Sequence, residues 1–138
     1  MTSPDRPTID ADSEAWWSAI QNGTLLLNAC QECGRNSLHH RCFCPHCWSE
    51  DVAPTPASGR ATLYTWTVVH QNAAPFDALT PYVVAMVDLA EGPRLMTHLE
   101  NCAIERLDAG LELTLDFRRG ADGFAIPIFT PVPERKLK

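Results

Sequence analysis

Two cysteine pairs constrain this 138-residue chain more than any other feature. Cys30-x-x-Cys33 and Cys44-x-x-Cys47 are separated by ten residues. A Cys-x-x-Cys turn brings both sulfurs to one side of a tight loop, and two such turns facing each other make a tetrahedral four-sulfur site that suits Zn²⁺. Gly34 follows the first pair and Pro45 lies inside the second, as in zinc knuckles. With Cys30, Cys33, Cys44 and Cys47 as ligands, protein fills every position and leaves none for a catalytic water. The spacing therefore predicts a metal that builds structure and does no chemistry.

Other readings of the cysteines compete. One Cys-x-x-Cys could be a redox dithiol, but two pairs so close together favour metal. Six cysteines also allow 15 disulfide pairings. The opening run MTSPDRPTIDADSEAWW has no basic n-region and no apolar h-region, which predicts no secretory signal and a reducing, cytoplasmic setting that disfavours disulfides. Cys42 stands beside the second pair as a competing ligand or a free thiol, and Cys102 reads as a small apolar residue. His39, His40 or His46 could replace a thiolate, although four well-spaced cysteines already complete the shell.

No apolar run approaches the roughly 20 residues of a membrane span, so no membrane role is expected. The net charge of −6, with scattered basic residues, argues against nucleic acid, because phosphate binding relies on clustered Lys and Arg. The chain reads as segments. Residues 1–24 hold a polar tail, unstructured over its first ten residues, and an aromatic helix. Residues 25–56 form the ribbon, 57–133 a barrel, and 134–138 a basic tail.

Asp12 or Ser13 can cap the helix, Glu14 sits in its first turn and Gly23 can close it. Trp16, Trp17 and Ile20 share one face. They either cover the chain's own core or meet a partner subunit or an acyl chain. Leu25-Leu26-Leu27 reads as a short strand into the first knuckle. The ribbon has too few apolar residues for a core of its own, so metal binding supplies its folding energy, on the order of 10 kcal/mol. The prolines and glycine of Ala53–Gly59 predict a linker.

Beyond Arg60 the hydrophobic period becomes two. Strands are expected over 61–70, 82–89, 94–100, 111–118 and 124–130, with a long loop over 71–81. Leu111, Leu113, Leu115 and Phe117 point inward. Pro127 marks an edge or a bulge. Five strands in so short a stretch avoid open edges by closing, and a five-stranded OB-type barrel is the natural solution. The fold class is thus mainly β, with an N-terminal helix, a rubredoxin-like zinc ribbon and an OB-fold barrel.

These segments resemble a known family. The segments are DSEAWWSAIQNGTLLL, CQECGRNSLHHRCFCPHC, SGRATLYTWTVVH, PYVVAMVDLAEGPRLMTHL, LDAGLELTLDF and PIFTPV, and together they cover residues 12–132. The chain is similar to the zinc-ribbon/OB-fold acyl-CoA-associated proteins, catalogued as domain of unknown function thirty-five. It departs from them at His39-His40-Arg41, where two prolines more often precede the arginine. The resemblance implies that Cys30, Cys33, Cys44 and Cys47 hold zinc. It also implies a non-catalytic accessory subunit, part of a hetero-oligomer, that completes an acyl-CoA-handling enzyme and lines the CoA or acyl path. The implied partners are thiolase-superfamily proteins, including lipid-transfer-protein-like aldolases of steroid side-chain breakdown, or a MaoC-type enoyl-CoA hydratase.

Two readings of other classes stand beside it. An OB barrel could bind single-stranded nucleic acid, stacking bases on Tyr64, Trp66 and Tyr82. Against this, residues 57–133 hold five arginines, no lysine and nine carboxylates. An independent enzyme could pair Cys102 with His98, with His70 at a strand end, but that spacing promises no contact.

Overall fold

The computed structural model describes residues 6–39, 41–74 and 76–133. The expected basic tail, 134–138, lies outside the described residues, as does His40. The first ordered element is helix α1, Glu14–Gln21. Ser13 stands at its N-cap but does not cap it with its side chain. Its hydroxyl turns back instead, donating to Asp10 Oδ1 at 2.9 Å and accepting from the Asp10 N–H at 3.1 Å. Gly23 ends the helix at φ +84°, a conformation glycine takes without a Cβ clash.

Residues 6–10 are not the loose tail the sequence suggests. Arg6 pairs with Asp122 at 2.9 Å, and its guanidinium lies 4.5 Å from the centre of the Phe124 ring.

A three-stranded antiparallel sheet follows, in the order β2-β1-β3, from β1 Leu26–Cys30, β2 Asn36–Ser37 and β3 Val52–Pro56. Strand β3 corrects the expected linker. Its odd-numbered residues bond to β1, as the 2.8 Å bond from Ala57 N–H to Leu25 O continues beyond the strand. Pro54 and Pro56 fall between, where an edge strand needs no donor. The prolines that signal a linker in sequence are here compatible with an edge.

The barrel closes in the order β4-β5-β6-β8-β7, from β4 Arg60–Val69, β5 Tyr82–Leu89, β6 Arg94–Leu99, β7 Glu112–Arg119 and β8 Ala125–Pro131. One parallel pairing, Leu99 with Phe129, shuts it, and the other ladders are antiparallel. This is the five-stranded OB arrangement. Pro127 pairs with Phe117 on β7, in the part of β8 that has no ladder to β6, so it occupies an edge as expected. The loop over 71–81 contains a 3-10 turn at Phe76–Leu79. A bulge between Leu63 and Thr65 leaves Tyr64 half exposed.

The core does not divide between ribbon and barrel. Leu25, Leu27 and Ile20 are fully buried in one cluster with Leu63, Val87, Leu113 and Phe129 from the barrel. Each such side chain contributes roughly 1.5–3 kcal/mol by leaving water. Glu91, in the β5–β6 turn, adds a polar strap. Its carboxylate accepts from Ser58 N–H at 2.8 Å, and its carbonyl accepts from the Asn36 side chain at 3.3 Å.

Candidate functional site

The two knuckles are built alike. Gly34 N–H donates to Cys30 O at 3.1 Å, and Trp48 N–H donates to Cys44 O at 2.8 Å. Cys30 N–H reaches Arg35 O at 3.0 Å, and Cys44 N–H reaches Ser49 O at 2.8 Å. Each turn thus closes on itself and projects both of its sulfurs. Strand β1 carries Cys30 into the first turn, and β3 leaves just beyond the second.

The four sulfurs of Cys30, Cys33, Cys44 and Cys47 lie within 4.8 Å of one another. Cys30 Sγ and Cys47 Sγ are 3.5 Å apart, and Cys33 Sγ and Cys44 Sγ 3.7 Å. A tetrahedral ion with metal–sulfur bonds of about 2.3 Å has edges of about 3.8 Å. The donor set and spacing therefore suit one metal ion. Backbone N–H groups of Cys33 and His46 point at Cys30 Sγ and Cys44 Sγ, both at 3.4 Å, and favour the thiolate form.

Protons alone serve this cluster poorly. The Cys33 N–H, ahead of other contributions, brings the Cys30 thiol down to about 7. The Ser49 backbone favours the Cys47 thiolate, yet burial and hydrogen bonds to the neighbouring thiols outweigh it and push that thiol up to about 12.

The other candidates fall elsewhere. Cys42 is exposed and outside the four-sulfur group. His46 contacts Arg35 through Nδ1 at 3.5 Å. His39 stands edge-on to Trp16 with ring centres 5.1 Å apart, and burial followed by the Arg41 charge lowers its pKa. Cys102 donates to Ala103 O at 3.4 Å, and burial raises its thiol pKa, the wrong direction for a nucleophile. His70 is exposed just past β4. The rings offered to nucleic-acid bases are engaged within the chain. Arg94 lies 3.5 Å above Tyr64, Tyr82 packs on His98 at 4.9 Å, and Trp66 packs half-buried against the core.

The aromatic face of α1 divides. Ile20 is fully buried in the chain's own core. Trp16 is buried too, its indole N–H donating to Leu26 O at 3.1 Å. Trp17 is half-buried, edge-on to Trp16 at 4.8 Å and beside Phe124 at 5.6 Å. Both tryptophans line a groove of about 680 Å³ between α1 and the barrel, together with Val84, Met96, His98 and Arg118. Arg118 pairs with Glu100 and donates to His98 Nδ1 at 3.2 Å. Sequence reasoning missed this groove. The available signal was YVVAMVDL, which is apolar at nearly every position where one face of a sheet should be polar.

Residues 54–118 match the family described as ChsH2, C-terminal OB-fold domain. A probable enoyl-CoA hydratase alpha subunit of Thermomonospora curvata is 34% identical over 135 residues, which is 95% of this chain and 41% of that protein. The chain thus spans about two fifths of that relative's length. A DUF35 domain-containing scaffold protein of Methanocaldococcus jannaschii is 31% identical over 113 residues, covering 78% of this chain and 80% of that one. The solved structure of an Ltp2-ChsH2(DUF35) aldolase superposes with a TM-score of 0.80 at 32% identity, over 91% of this chain and 98% of the matched one. The described residues contain no helix long and apolar enough to cross a membrane.

Proposed function

This chain belongs to the DUF35 family, and from that membership we propose that it is a non-catalytic accessory subunit that binds and completes an acyl-CoA-handling enzyme. The preferred partner is a thiolase-superfamily protein of the lipid-transfer-protein-like aldolase kind, in a hetero-oligomer working on steroid or fatty-acyl thioesters. The observation that carries the reading is the match along 98% of a chain from a two-protein aldolase. A second reading, a subunit of a MaoC-type hydratase, is favoured by the similarity to the hydratase alpha subunit over 95% of this chain.

The four cysteines would hold Zn²⁺, whose chemistry here is to tie two loops together. With four sulfur ligands it has no open position for substrate or water. The division into ribbon (25–56) and barrel (57–133) is then a division of roles, since their apolar residues share one core. Trp16 and Trp17, at the groove, are the residues of α1 placed to meet a partner or an acyl chain. The subunit acts by placement, and an error of about 1 Å in a reacting group can cost roughly 100-fold in rate.

Affinity purification of the tagged chain from its native host tests this. The expected companion is a thiolase- or hydratase-type subunit in fixed ratio. A chain that elutes alone under gentle conditions would contradict the proposal.

A further inference from the structure

The outer face of β5 breaks the rule for a sheet in water, where polar residues should alternate with buried ones. Val84 and Met86 alternate with the buried Val83, Ala85 and Val87, so they point outward, yet both are apolar. Met96, the β6 partner of Met86, is 67% exposed. The groove takes in part of this strip: Val84 and Met96 line it with the two tryptophans of α1 and with Phe76 of the loop before β5. Its volume of about 680 Å³ lies within the range of small-molecule sites, roughly 300–1,000 Å³.

The groove is also polarised. On the α1 side Asp10 and Asp12 line it. Hydrogen bonds from Ser13 hold Asp10 below the usual carboxylate range, so it stays negative. On the barrel side stand His98 and Arg118. A guanidinium can only donate, so its 3.2 Å contact makes His98 Nδ1 the acceptor and places the ring proton on Nε2. The apolar walls suit a chain or ring system. The donors on the barrel side suit a carbonyl or carboxylate oxygen, and the aspartates disfavour that oxygen on the other side.

We infer that the groove binds an apolar acyl chain with its carbonyl or carboxylate oxygen directed to His98 and Arg118. The ligand is either an acyl-CoA thioester or the free acid. The acyl-CoA reading of the previous section guides this choice of ligand, but the groove's shape and polarity do not depend on a partner.

Calorimetric titration of the full chain with decanoyl-CoA, decanoate and free CoA tests the inference. Binding of decanoyl-CoA alone assigns the thioester, binding of decanoate alone assigns the free acid, and binding of both is equally expected. Met96→Glu, at a side chain already in solvent, should weaken binding about tenfold by placing a charge in the groove. His98→Leu should weaken it roughly three- to tenfold, and His98→Gln, which keeps an N–H donor, should restore most of the loss. No binding of either acyl ligand overturns the inference. So does CoA binding as tightly as decanoyl-CoA, or an affinity that Met96→Glu leaves unchanged. Because the chain is titrated alone, such a failure leaves its pairing with an enzyme subunit standing, and the purification from the host judges that pairing separately.

Discussion

Gly34 and Trp48 hold the same backbone position in the two knuckles, at φ +75° and +67°. Each follows the second cysteine of its pair and donates to the first cysteine's carbonyl. Glycine takes this conformation freely, whereas a side chain costs about 1–2 kcal/mol there. Trp48 recovers some of that by stacking on Phe43, with ring centres 5.3 Å apart, although it remains 73% exposed. Such a stacked pair contributes about 0.5–1.5 kcal/mol. Trp48→Gly should therefore change stability by less than about 1 kcal/mol in either direction, as read by urea denaturation of the metal-loaded protein.

Removal of a ligand should behave quite differently. The purified chain should carry about one zinc per molecule, and Cys33→Ser should lose most of it. The ribbon around the knuckles has little apolar packing of its own, so hydrogen exchange should rise sharply over residues 30–51. Strands β4–β8 should stay protected in the same experiment.

Gly59 is tight as well as left-handed. Its φ is +87°, and an added Cβ would lie 3.2 Å from Leu115 Cβ. Gly59→Ala should destabilise the fold by about 1–3 kcal/mol, measured as a lower denaturation midpoint. Gly92, with open space around it, should suffer only from its backbone conformation.

Ile20 joins the helix to the barrel and is fully buried. Ile20→Ala should cost about 2–5 kcal/mol, since truncation leaves a cavity among packed neighbours. Thermal unfolding would read this. A loss well under 1 kcal/mol would mean that α1 docks without it.

Asp10 makes the start of α1 sensitive to pH. Hydrogen bonds from the Ser13 hydroxyl and N–H lower its folded pKa. Its contribution is therefore complete above the ordinary carboxylate range and disappears as pH falls through the lowered folded value. Helix content should decline slightly more in acid for the parent than for Asp10→Ala, compared by circular dichroism between neutral pH and pH of about 3.

Sequence and structure agree where physics is local. The knuckle turns depend on residues a few positions apart, and the barrel strands carry a period-two pattern along 60–131 that survives burial. Agreement fails where a distant segment supplies the partner. Pro54 and Pro56 look like a linker until β1 bonds the residues between them. Arg6 looks loose until Asp122, far along the chain, pairs with it. The groove is the largest such case. Trp16 and Trp17 come from α1, Met96 and His98 from β6 and Arg118 from β7, and no spacing rule joins them. Ile20 and Trp17 share a helical face by sequence. Only the docking of α1 decides that Ile20 goes wholly into the core while Trp17 stays at the groove.

The central claim concerns placement, and the most direct test is the thioester turnover of the co-purified enzyme subunit, assayed with this chain, without it, and with this chain alone. The account predicts that the enzyme loses at least about tenfold in rate without the chain, recovers when it is added back, and that the chain alone turns over nothing. Full activity of the enzyme by itself, or turnover by this chain in isolation, would contradict it.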